Sequence, residues 1–236
     1  MSAPAPLLVL FDIDGTLLRR ASVDHARALH EALRGVHGVD ASGRAAEVSP
    51  AGRTDGEIAR LLLLRAGVSA RAIDERTAAV RGACCEAYAR LCPADLTANV
   101  IPGVARLLAW LAGTTGARLS LVTGNYEPVA RLKLGRAGIG RHFAAGQGAF
   151  GSDSEDRAAL PAIARRRAGA GGVSHPRERT VIVGDTPRDI ACARADEVRC
   201  LAVATGSFDA GALAGADAVA PDAGALTPLL QHLLDG

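Results

Sequence analysis

Residues 7–18 read LLVLFDIDGTLL, and they constrain the chain more than any other stretch. The apolar run 7–11 has the character of a strand buried on both faces. It stops at Asp12, and a second carboxylate, Asp14, follows before Gly15 and Thr16 turn the backbone. Two carboxylates at the end of a buried strand are costly to desolvate unless a cation or hydrogen bonds compensate. That cost is the first sign of chemistry, and the rest of the chain is read for what relieves it.

The stretch 19–97 reads as helical throughout. Apolar residues recur at helical spacing over 23–36. Thr54 with Glu57 three residues later is a capping-box signature for a second helix. Ser69 opens a third helix that runs to about residue 91, before Pro93. From residue 98 the pattern changes to alternating strands and helices. Strands are expected at 118–122, 180–183, 198–203 and 218–220, and helices at 104–111, 127–137, 156–168, 190–195 and 227–234. A short element is expected over 142–150 and a flexible loop over 169–176. Continuous apolar strands alternating with helices predict an α/β fold, a doubly wound parallel sheet with a Rossmann-like core. The helical stretch is then an inserted cap, giving a core of 1–18 and 98–236 and a cap of 19–97.

In a parallel sheet the carboxyl ends of the strands share one edge, where such folds place their sites. Asp12 and Asp14 follow one strand, Thr123 closes a second, and Asp185 follows a third. Asp189, four residues on, reaches the same edge if a helix begins near Thr186. Carboxylates crowded into one crevice repel, and a hard divalent cation resolves this, since Mg2+ takes oxygen ligands. Thr123 offers a hydroxyl, and the amides after it can bind an anion. Lys133 or Arg157 can neutralise a further charge. Lys133 is the only lysine among 27 basic residues, which marks it as a place where a compact ammonium serves and a guanidinium does not. The assembly reads as a magnesium-assisted phosphate site with a carboxylate nucleophile.

The motifs FDIDGT, LVTGN and VIVGDTPRD, in this order, resemble those of the haloacid-dehalogenase-like (HAD) hydrolase superfamily. The helical insertion after the first motif resembles the C1 cap of its phosphoglycolate-phosphatase-like branch. The resemblance covers nearly the whole chain. It implies that Asp12 is the nucleophile that becomes an aspartyl phosphate. It implies that Asp14 protonates the leaving oxygen and later activates water. The Asp12 carboxylate, the Asp14 carbonyl and Asp185 would hold Mg2+, with Asp189 as a further ligand or a group orienting one. Thr123 and the Gly124 and Asn125 amides would bind the phosphoryl group. The third motif departs from the pattern, because Asp156-Arg157-Ala158 stands where a KP-like pair is usual. Arg157 matches by position and Lys133 by type, and both are expected near the phosphate. In the cap, AGRTD (51–55) resembles a stretch of related capped phosphatases, and Arg53 and Thr54 are the expected substrate contacts.

These residues imply an Mg2+-dependent phosphatase for a small phosphorylated metabolite. A sugar-phosphate mutase of the same superfamily and a non-catalytic phosphate-binding homologue are the alternatives. The chain has 236 residues, 49% hydrophobic and 22% charged, enough for a real core. A net charge of +2 and 3% aromatic residues argue against nucleic acid or an anionic membrane as partner. Five cysteines without a CxxC pair predict reduced thiols, and the N-terminus shows no secretory pattern, so a cytoplasmic setting is expected. Residues 165–167, three arginines, are expected as a solvated helix end. His175 is expected as an unpartnered loop residue, Trp110 as core, and Cys84 and Cys85 as cap packing.

Overall fold

The computed structural model describes residues 5–43 and 48–236. Its centre is a six-stranded sheet with every pairing parallel, in the order β3-β2-β1-β4-β5-β6. The strands are β1 (Leu7–Phe11), β2 (Ala117–Thr123), β3 (Ala149–Phe150), β4 (Thr180–Gly184), β5 (Arg199–Val203) and β6 (Ala218–Ala220). All five residues of β1 are buried, as a strand covered on both faces requires. Side chains alternate between the two faces. Leu7, Val9 and Phe11 join one hydrophobic cluster, and Leu8 and Leu10 the other. β4 divides in the same way, with Val181 and Val183 on the first face and Ile182 on the second.

The helices of the core are α4 (Val104–Gly113), α5 (Glu127–Arg136), α6 (Leu160–Ala168), α7 (Pro187–Ala195) and α8 (Leu226–Asp235). Here α1 (Val23–His37), α2 (Asp55–Arg65) and α3 (Ala70–Leu91) are inserted between β1 and β2. In α1, Ala28, Leu29, Ala32 and Leu33 make a buried stripe that packs against α3, and Gly38 ends the helix at φ 69°. The helical cap of the expectation is thus present on the α/β core.

The strands fall within a residue or two of their expected bounds. α7 starts earlier than expected, at Pro187, because Thr186 and Asp189 form a full capping box there. The box expected at α2 is only half made. Thr54 Oγ1 accepts from the Glu57 amide at 3.1 Å, but the Glu57 carboxylate turns to the Arg53 guanidinium. A charged donor outcompetes a neutral amide for that carboxylate.

Two expectations fail together behind the sheet. Arg165 is buried rather than solvated, and its guanidinium grips Asp196 with bonds of 2.7 and 3.0 Å. Arg165 also donates to the backbone oxygen of His175, and the His175 ring faces the Arg179 carbonyl at 3.2 Å. His175 is therefore buried and partnered. Helical rotation turns one arginine of the three inward, and Arg166 stays exposed. The loop before His175 is tightened by paired backbone bonds between Ala170 and Val173. Trp110 is half-buried against the main cluster, and Cys84 is fully buried in α3.

Candidate active site

β1 lies between β2 and β4, and Phe11 is level with Leu121 and Val183. The chain reverses direction across the sheet at β1, so a crevice opens beyond its carboxyl end. Asp12 continues the ladder by one bond, donating to the Val183 carbonyl at 2.9 Å. Asp12, Thr123 and Asp185 therefore emerge side by side, all buried.

Oxygens of Asp12, Asp185 and Asp189 lie within 4.8 Å of one another. Burial, and then repulsion from Asp189, push the Asp12 carboxyl above the ordinary range despite Arg157. Burial, then Asp12 and Asp189, push Asp185 up in the same way. Hard oxygen donors that resist ionisation together are suited to a divalent cation, which removes the repulsion. The backbone leaves room for this. Gly15 sits at φ 95°, and a methyl group there would overlap the Asp185 carboxylate.

Asp189 is spoken for. One oxygen meets Arg157, and the other accepts from the Thr186 amide and hydroxyl at 3.0 and 2.7 Å. It is placed to orient Arg157 and the turn after β4 rather than to present a bare ligand oxygen.

Arg157 Nη2 donates to Asp12 at 2.9 Å. Burial opposes its charge, but Asp189 and Asp12 outweigh burial and raise its pKa. Its Nε is buried without a partner among the described residues. Arg157 sits in a single 3-10 turn opened by Asp156, whose side chain accepts from Ala158.

Lys133 is brought to the same crevice by α5, fully buried, but on the other side of it. Its Nζ reaches both Asp14 oxygens at 2.9 and 2.7 Å and Asn125 Oδ1 at 2.7 Å. Burial opposes ionisation of Asp14, but Lys133 and then His25 overcome it, holding the carboxyl at about 2. The two cations thus divide the work by carboxylate, Arg157 to Asp12 and Lys133 to Asp14. The sequence matches Arg157 to the third motif by position and Lys133 by type, and places both near the phosphate.

Thr123 Oγ1 accepts from the Asn125 amide at 3.3 Å and from its side chain at 3.0 Å. Asn125 Nδ2 also reaches Asp14 at 2.8 Å. The Asn125 amide, expected to face a phosphoryl group, is therefore turned to Thr123 inside its own loop. Gly124 lies under the cap, where a side chain would overlap the Arg53 carbonyl, and its own carbonyl accepts from the Asp55 amide at 2.8 Å.

The expected cap contacts are placed differently. Arg53 faces the crevice, but Glu57 and the Ser49 carbonyl hold its guanidinium. Thr54 is fully buried and spends its hydroxyl on the α2 cap and on the Glu155 carbonyl at 2.7 Å. It ties cap to core, and its side chain has no function left for a substrate.

His25 was missed from the sequence. Its Nε2 meets Asp55 at 3.0 Å and its Nδ1 meets Lys133 Nζ at 3.3 Å. Asp55 in turn accepts from the Tyr126 amide at 2.7 Å. The signal was present, since His25 lies on the stripe of α1 that carries Ala28, Leu29 and Ala32.

Residues 9–194 match the family model of haloacid dehalogenase-like hydrolases. Phosphoglycolate phosphatase 1 of Pseudomonas aeruginosa is 30% identical over 207 residues, 85% of this chain and 70% of that protein. A hydrolase from Pseudomonas syringae superposes with a TM-score of 0.64 at 23% identity, over 96% of this chain and 98% of its own. CbbY from Rhodobacter sphaeroides, solved with phosphate, superposes at 0.59 and 22% identity, over 94% and 96%. These two share the fold, whereas the family match spans well over half of the chain. The chain belongs to the haloacid dehalogenase-like hydrolase family, in its phosphoglycolate-phosphatase-like branch.

Proposed function

We propose that this protein is an Mg2+-dependent phosphatase that hydrolyses a small phosphorylated metabolite through an aspartyl phosphate on Asp12. One observation carries the reading. Asp12 ends the central strand with one oxygen on Arg157, and Asp14 stands beside it, ion-paired to Lys133. The Pseudomonas aeruginosa relative, a phosphoglycolate phosphatase by name, supports a phosphomonoester substrate.

An Asp12 oxygen attacks phosphorus in line, the ester P–O bond breaks, and the leaving oxygen takes a proton from the minor protonated form of Asp14, since Lys133 favours the ionised one. Water then gives a proton to Asp14 and attacks the same phosphorus, which frees the Asp12 carboxylate and inorganic phosphate. The arrangement of Asp14 suits the second half. Its carboxylate is ionised and oriented by Lys133 and Asn125, as a base must be. Arg157 orients Asp12 through Nη2. The Asp12 and Asp185 carboxylates and the Asp14 carbonyl would hold Mg2+, which neutralises charge on the phosphoryl oxygens when bound. Residues 1–18 and 98–236 form the core domain in this reading, and 19–97 the cap domain that excludes water. Thr123 fixes the loop that carries Gly124 and Asn125. Arg53 contributes a balanced charge to the wall. Five free cysteines support a reducing, cytoplasmic setting.

The test is turnover of p-nitrophenyl phosphate with Mg2+. Asp12→Asn is expected to abolish it, and retained Mg2+-dependent turnover in that variant would remove Asp12 from the nucleophile's place. Phosphate released to water from a sugar phosphate, rather than returned to a second hydroxyl, separates hydrolase from mutase.

A further inference from the structure

The turn after β5 reaches the active site from the far side of Asp185. β4 lies between β1 and β5 in the sheet, so the turns that follow β1 and β5 flank the carboxylate that follows β4. Each of these turns sets a glycine against it. A methyl group on Gly15 would overlap Asp185 Oδ2, and one on Gly206 would overlap the same oxygen. Gly206 does not adopt the left-handed region, so space and not backbone freedom requires a glycine there. Oδ2 thus occupies a slot that two bare α-carbons leave open. The other oxygen, Oδ1, accepts from the Thr16 hydroxyl at 3.0 Å.

One side chain ties the two walls of the slot together. Thr205 Oγ1 donates to the Gly15 carbonyl at 2.6 Å, across the end of β4. The Gly15 amide in turn donates to the Leu18 carbonyl at 2.8 Å. Gly15 is therefore held by both of its peptide groups. The peptide that gives its N–H to Leu18 also carries the Asp14 carbonyl, which a trans peptide points the opposite way. Gly15, Asp185, Thr205 and Gly206 all line the cavity of about 700 Å3 that contains Asp12 and Asp14.

We infer that Thr205 is a positioning residue for the metal site. Its hydroxyl joins the turns after β1 and β5 across Asp185, and so fixes two of the oxygen donors that would hold Mg2+, the Asp185 carboxylate and the Asp14 carbonyl. The inference rests on the phosphatase reading for the identity of the metal. The bond goes to a backbone carbonyl, so its loss acts on the orientation of the donors and leaves each of them in the chain.

Mg2+ alone is titrated into the full-length protein by calorimetry, and p-nitrophenyl phosphate turnover is followed across Mg2+ concentrations. Thr205→Val keeps the branched shape without the hydroxyl. Its Kd for Mg2+, and the Mg2+ concentration that gives half-maximal turnover, are expected to rise about tenfold. The kcat at saturating Mg2+ is expected to stay that of the wild type. Thr205→Ser keeps the hydroxyl and is expected to restore the wild-type Kd. A Thr205→Val protein that melts lower but binds Mg2+ as tightly as wild type would make the bond merely structural and overturn the inference. Gly206→Ala fills the slot without touching Thr205 and should weaken Mg2+ at least as much. Wild-type affinity in that variant overturns the inference even if Thr205→Val does not fold. A wild type that binds Mg2+ but hydrolyses no phosphate ester overturns the phosphatase reading, while the ratio of Kd values still decides the role of Thr205. A wild type that binds no Mg2+ overturns that role outright.

Discussion

Asp185→Asn removes one charge from a buried cluster and keeps the side chain's shape. Like charges within 4.8 Å of one another, at an effective dielectric constant of about 20, cost roughly 3.5 kcal/mol per pair. Arg157 relieves Asp12 and Asp189, to which it is bonded. Among the described residues, the side-chain hydrogen bond that Asp185 receives comes from Thr16 at 3.0 Å, and an amide oxygen accepts it equally well. Burial and the two neighbouring carboxylates raise the proton affinity of Asp185, so part of the repulsion is already relieved by protonation. A net gain of about 1–3 kcal/mol for the metal-free variant follows, or about 2–12 °C in Tm for a chain of this size. The sign with pH is fixed by linkage. A carboxyl whose folded-state pKa is raised binds protons more tightly folded than unfolded. The contribution of Asp185 to the stability of the metal-free wild type is then fully present below the ordinary carboxylate range and is lost as pH rises towards about 8. The variant flattens that slope. Mg2+ at a hundred times its Kd stabilises a site by about 2.7 kcal/mol, a gain expected for the wild type alone. The assay is thermal melting in EDTA and in Mg2+ across pH. A variant that melts lower than wild type in EDTA at neutral pH and keeps the Mg2+ shift would refute the reasoning, and would make Asp185 a structural residue.

Lys133→Met strips Asp14 of its ammonium within the same space, and kcat on p-nitrophenyl phosphate is expected to fall by about 10²–10⁴. Steady-state kinetics check this, and an unchanged kcat would show that Lys133 has no part in the reaction. Gly15→Ala forces a methyl group on the Asp185 carboxylate at a positive φ. It should cost about 1 kcal/mol or more and abolish the Mg2+-induced rise in Tm. Arg165→Ala leaves Asp196 buried without its main partner. It should lower stability by about 3–5 kcal/mol in denaturant titration, and KM should not change, since neither residue lines the cavity.

The parts of the fold that were legible are those where one element carries its own signal. A strand buried on both faces has to be apolar at every position, so 7–11 and 180–183 stood out. Each is followed by a carboxylate that no buried strand would carry without a task. Where a partner lies far along the chain, the signal was missing. Arg165 looked solvated because its neighbours are also arginines, and Asp196 is 31 residues away. Thr54 looked free for a substrate because the carbonyl it meets belongs to Glu155, 101 residues on. Glu57 has the spacing of half a capping box, but the Arg53 guanidinium, four residues back, outcompetes the amide for its carboxylate.

Lys133 shows both sides of this. Its solitude among the basic residues was visible in composition, but the reason lies in the structure. An ammonium has three protons to distribute, and its shell holds two Asp14 oxygens, Asn125 Oδ1 and His25 Nδ1. A flat guanidinium cannot point its donors around such a shell in a fully buried slot. The same shell orients His25, whose Nδ1 faces the ammonium and whose Nε2 faces Asp55. Asp55 belongs to α2 and His25 to α1, while Lys133 belongs to the core. The cap thereby reaches the proposed acid–base carboxylate by two routes, through Lys133 and directly, the Ser22 hydroxyl donating to Asp14 at 3.1 Å. Docking of the cap and orientation of Asp14 then draw on the same hydrogen bonds, and neither can be altered without the other.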